Sequence, residues 1–79
     1  MNNFISRKIV YMNGQRLFIN HDYTFNSDGF HFTFQVRGGT RFAVEHYVFG
    51  ILVGVRNKDL KENWPQRNRP DGPVPGLKI

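Results

Sequence analysis

The side chains in this sequence that could carry chemistry are six carboxylates, three histidines and eleven lysines and arginines, with no cysteine. The carboxylates are Asp22, Asp28, Glu45, Asp59, Glu62 and Asp71. General acid–base work needs two such groups converging in a cleft. Asp28 instead stands in the turn sequence Asn26-Ser27-Asp28-Gly29, and Asp59 and Glu62 read as solvated charges in a polar stretch. There is no Gly-x-Ser-x-Gly nucleophile elbow and no glycine-rich phosphate loop. His21, His31 and His46 lack the close spacing of a metal pair, and the strand register derived below puts His21 and His31 on opposite faces. The absence of cysteine excludes disulfides, a thiolate nucleophile and a cysteine-rich zinc site. No enzymatic activity, metal or cofactor is expected.

What remains is arginine interleaved with aromatic and aliphatic residues. Tyr11 and Arg16 are expected to face each other across a hairpin, with Ile9 and Phe18 beside them and Arg7 and Arg37 on the same face. Apolar anchors rimmed by arginine have the composition of a protein-binding patch. The same set could also stack on bases and neutralise phosphates. Trp64, Arg67 and Arg69 add aromatic and basic character toward the C-terminus. A net charge of +5 on 79 residues is moderate, and the cations are spread along the chain. A protein partner is therefore the leading expectation, as for an inhibitor, adaptor, small regulator or viral accessory protein. Nucleic acid comes second, and third a homodimer joined through the Ile9/Phe18 island or an edge strand.

These residues must be positioned by a small core. At 15% aromatic and 22% charged, the chain has the burial capacity of a folded domain rather than a disordered one. Asn13-Gly14 lies between Arg7–Met12 and Gln15–Ile19, both rich in β-formers, and predicts a two-residue hairpin. That turn sets Met12 opposite Gln15, Tyr11 opposite Arg16, Val10 opposite Leu17, Ile9 opposite Phe18 and Lys8 opposite Ile19. Asn26–Gly29 predicts a second hairpin, with Phe25 opposite Phe30 and Tyr23 opposite Phe32. Joined, the two give a three-stranded antiparallel meander over about 4–12, 15–26 and 29–37. One face then collects Leu17, Ile19, Tyr23, Phe25, Phe30, Phe32 and Phe34, and the other the arginine-rimmed island. Asn20-His21-Asp22 is the point at which a turn or bulge would flip this register. The run Phe30-His-Phe-Thr-Phe34 has the aromatic alternation of base-stacking strands, but its rings share the apolar face and are expected in the core.

Residues 41–55 fit two patterns. Their β-branched residues and glycines lower helix propensity, while their length and the need to cover the apolar face favour a helix after Thr40. The expected fold is therefore α+β: a meander covered on one face by a helix at about 41–55, forming a domain over 1–64. All four prolines fall at or after Pro65, so 65–79 is expected to be an irregular tail that adds little to the fold and takes part in binding. Met1 to Lys8 lacks the apolar run of a signal peptide, and Phe42 to Val55 is too short and polar for a membrane span. With no cysteine, a cytoplasmic location and no membrane partner are expected.

Overall fold

The two-residue Asn13-Gly14 turn forms as its chemistry demands, with φ of 51° at Asn13 and 84° at Gly14. It joins β1 (Ser6–Met12) to β2 (Gln15–Leu17), and Met12, Tyr11 and Val10 pair with Gln15, Arg16 and Leu17. The computed structural model describes residues 6–65 and 74–79. Its other elements are β3 (Tyr23–Asn26), β4 (Gly29–Phe32), β5 (Arg41–Val48) and β6 (Ile51–Asp59). The β3–β4 hairpin also keeps its expected register, Tyr23 opposite Phe32 and Phe25 opposite Phe30.

The α+β expectation fails at 41–55. No helix occurs among the described residues, and this segment is an antiparallel β5–β6 hairpin. Its turn is Phe49-Gly50, with φ of 51° and 77°, a second left-handed pair equivalent to Asn13-Gly14. Phe42, Val44, Val48, Ile51, Val53 and Val55 follow the β-branched and aromatic preference of a pleated surface, and Gly50 supplies the turn. Without a helix, the apolar face is covered in another way.

The single meander fails too. β1 pairs along its whole length with β5, Ser6 opposite Val48 through Met12 opposite Phe42. The result is a four-stranded sheet in the order β2-β1-β5-β6 and a separate two-stranded sheet, β3-β4. The strand expected over 15–26 breaks at Phe18–Asp22. Phe18 N–H donates to the Asp22 carboxylate at 2.8 Å, Asp22 N–H donates to the Phe18 carbonyl at 2.8 Å, and Asn20 takes φ of 66°. Asparagine tolerates that conformation and aspartate bonds nearby backbone, so this turn outcompetes two more rungs of ladder.

The second sheet provides the cover. Val10, Leu17, Phe42 and Val44 from the four-stranded sheet pack with Tyr23, Phe30 and Phe32 from the two-stranded one, and Phe32 stacks on Phe42 with centroids 5.2 Å apart. This is a two-layer β arrangement. Connecting segments close it: Val36 and Leu60 are buried, and Val36 and Trp64 exchange backbone hydrogen bonds at 2.7 and 2.8 Å. The C-terminal residues do more for the fold than expected. Val74 and Leu77 are buried, and Leu77 and Phe30 exchange backbone hydrogen bonds at 2.9 Å. Gly76 N–H donates to the Asp28 carboxylate at 2.7 Å. The approach is close enough that a Cβ on Gly76 would stand 2.5 Å from the Asp28 carbonyl oxygen. Residues 74–79 are thus a strap across the β3–β4 turn.

Candidate functional site

The four-stranded sheet has one face in the core and one outside it. Core residues on β1 and β5 are Val10, Phe42 and Val44, so period two turns Arg7, Ile9, Tyr11, Ala43, Glu45 and Tyr47 outward. Cross-strand partners share a face. One row therefore runs Arg16, Tyr11, Ala43, Asn57; the next holds Ile9, Glu45 and Val55; the third Arg7, Tyr47 and Leu52. None of these residues belongs to the buried core.

Glu45 sits near the centre of this face. Its Oε1 accepts hydrogen bonds from the Tyr11 hydroxyl at 3.1 Å and the Tyr47 hydroxyl at 3.0 Å. Those bonds to the carboxylate, then burial and the Glu45 charge, hold both phenols above the ordinary tyrosine pKa. Tyr23 is raised as well, there mainly by burial in the core. The Arg16 guanidinium lies 4.8 Å over the Phe18 ring, a cation–π contact at the margin of the face.

Beyond Leu17 the face borders a groove of about 900 Å³. It is bounded by β1 from Ser6 to Ile9, by Arg16 to Ile19 and by Tyr23, Phe25 and Phe30. Phe18, Ile19 and Phe25 are 53, 57 and 45% exposed, unusual for residues of this size gathered in one place. Lys8 Nζ stands 4.8 Å over the Phe25 ring.

The structure brings together Arg7, Ile9, Tyr11, Arg16 and Phe18 from the sequence-derived set. Arg37 does not join them: β4 ends at Phe32 in the other sheet, and Arg37 lies in an exposed connection beyond it. Trp64 is half-buried against the core and bridged to Val36, so it is a structural residue. Arg67 and Arg69 lie outside the described residues. Sequence reasoning missed Glu45, Tyr47, Leu52 and Val55 because it laid 41–55 out as a helix. The Phe49-Gly50 turn between two β-rich runs was the signal that restores period two there. It also placed Ile19 and Phe25 in the core, where the Asn20 turn leaves them at a groove.

Four of the described carboxylates are engaged structurally: Asp22 on Phe18 N–H, Asp28 on Gly76 N–H, Glu45 between tyrosines, and Asp59 3.6 Å from the Arg41 guanidinium. Among the described residues no group of three or more His, Cys, Asp or Glu could hold a metal ion, and no helix is long and apolar enough to cross a membrane. Comparison with protein-family models, curated proteins and solved structures finds no match.

Proposed function

We propose that this chain is a non-enzymatic protein-binding module that acts through the outward face of its four-stranded sheet and the adjoining groove. The observation that carries this reading is the Tyr11–Glu45–Tyr47 set, flanked by Ile9, Arg7 and Arg16 on a sheet face that contributes nothing to the core. Tyrosine and arginine are the residue types whose truncation most often costs an interface dearly. Glu45 also separates the protein reading from the nucleic-acid one. A carboxylate at the centre of the face repels phosphate, while a protein partner can meet it with a donor.

The test compares material captured from lysate, with and without nuclease treatment, by the wild-type chain and by Arg16→Glu and Tyr47→Ala. Both positions lie outside the core, so melting temperatures should change little. A protein retained by wild type and lost by both variants at unchanged stability supports the module. Capture that is indifferent to both substitutions removes it. Capture that vanishes with nuclease and weakens about a thousandfold between 50 and 200 mM salt assigns the face to nucleic acid instead.

A further inference from the structure

The backbone of β1 has an unused side. Asn13 N–H donates to the Arg41 carbonyl at 2.8 Å, so the backbone of Asn13 points to β5. Alternation in an antiparallel ladder then turns the backbone groups of Tyr11, Ile9 and Arg7 to β5, and those of Met12, Val10, Lys8 and Ser6 the other way. β2 takes up Met12 and Val10 and stops at Leu17. Lys8 and Ser6 are left with no strand or bridge on that side among the described residues. β2 does not extend to them, because the chain turns away at Phe18–Asp22: Asn20 takes φ of 66° and Ile19, which would have faced Lys8, bridges to Tyr23 instead.

We infer that the open side of β1, from Ser6 to Ile9, receives an extended segment of the partner protein as an added strand, and that this segment alternates apolar with acidic residues. The inference rests on the protein-binding reading above and names the partner's chemistry. Strand addition uses main-chain bonds for affinity and side-chain pockets for selection. A residue of the added strand opposite Lys8 directs its side chain toward the core side of the sheet, over Ile19 and Phe25 in the groove. That position takes an apolar side chain. Its neighbours, opposite Arg7 and Ile9, point outward between Arg7 and Arg16. The groove lining contains these two arginines and Lys8 but neither aspartate nor glutamate. The outward positions therefore take carboxylates. A second copy of the chain is a poor occupant, because pairing this edge with itself sets Arg7 and Lys8 against Arg7 and Lys8 of the copy.

The probe is a short synthetic peptide alternating valine and glutamate, carrying a fluorescent label, added to the full chain. We expect saturable binding by anisotropy, slowed hydrogen exchange at the Lys8 amide, and NMR shifts at Ile19 and Phe25. Two altered peptides, one N-methylated at its edge-facing amides and one with lysine in place of glutamate, should each bind about tenfold more weakly or worse. Phe25→Ala, at a half-exposed position outside the core, should weaken binding without unfolding the chain. Equal binding by either altered peptide overturns the inference, as does no binding at all or shifts confined to Tyr47 and Val55. A Lys8 amide already protected in the free chain overturns it too, since the edge is then occupied by this protein itself. If the peptide fails while Arg16→Glu and Tyr47→Ala still abolish partner capture, the added strand falls and the outer-face module stands.

Discussion

The four-stranded sheet has two open edges, and they are built differently. β6 is a nine-residue strand exposed along most of its length, with Ile51, Leu52, Val53 and Val55 at the surface. Left flat, such an edge would pair with any strand it met. It is not flat: pairing with β5 slips between His46 and Tyr47, leaving Val53 as a bulge. Arg56 and Lys58, opposite Val44 and Phe42, point to the core side of the same edge strand. A bulge and inward-pointing charges are both devices that discourage edge pairing. The open part of β1 has no bulge, and its one core-side charge, Lys8, lies folded over the Phe25 ring. Its ladder with β5 is regular, and its side toward β2 opens onto an apolar groove. One edge of the sheet is guarded and the other is open, and the open one is too short to seed continued strand stacking.

The strongest perturbation removes the core both edges share. Phe32 is fully buried and stacked on Phe42. Phe32→Ala should cost about 3–5 kcal/mol, enough to unfold a small domain, and urea unfolding followed by circular dichroism reads it. A variant that melts like wild type would mean the two sheets do not depend on each other. Next in size is Gly76→Ala, whose Cβ would meet the Asp28 carbonyl. A loss of about 2 kcal/mol is expected, concentrated on the β3–β4 hairpin that the strap crosses. Native-state hydrogen exchange should show Phe30 and Leu77 losing protection while β5 and β6 keep theirs. Uniform loss would contradict a separate strap. Deleting Val53 sharpens the contrast from the guarded side: it closes the bulge and flattens β6. Light scattering should then show association of a chain whose monomer fold is little altered, and a monomer would show that the bulge is not what guards this edge.

The smallest effect lies between the edges. Glu45→Gln replaces the carboxylate whose hydrogen bonds, ahead of burial and its charge, raise the Tyr11 and Tyr47 pKa values, so ultraviolet titration should find these two closer to the ordinary value, with Tyr23 still raised by burial. A folded pKa above the unfolded one contributes stability that is complete below the unfolded value and lost as pH rises through the folded value. The wild-type chain should therefore lose more stability in alkali, above about pH 10, than the variant. Equal alkaline profiles would place the tyrosine shifts elsewhere.

Short-range turn chemistry was readable and long-range pairing was not. Asn13-Gly14 specified three rungs of the first hairpin, and Asn26–Gly29 specified the second, because each turn fixes register locally. Phe49-Gly50 carries the same information, but phenylalanine rarely takes a left-handed φ, and the segment's length suited a helix equally well. The β1–β5 pairing joins strands separated by an entire second sheet, and no local residue announces it. Arg7, Ile9, Tyr11, Arg16 and Phe18 were found together because they depend on the first hairpin alone. Glu45 and Tyr47 depend on the β1–β5 pairing and were not. The Asn20-His21-Asp22 turn was visible as a weak point, yet the competition between its side-chain bonds and two further rungs is decided by tertiary packing.

The strap has a consequence for the order in which the molecule assembles. Hairpins closed by two-residue turns form in roughly microseconds, whereas contacts far apart in sequence wait on the entropy of closing a long loop. The Phe30–Leu77 bridge is of the second kind, so β1–β2 and β5–β6 should exist before 74–79 is laid down. Phe30 is a wall of the groove, and its backbone is fixed by that last contact. The groove is therefore finished only at the closing step of folding, and a bound segment would select, and slow the reopening of, chains whose strap is already in place.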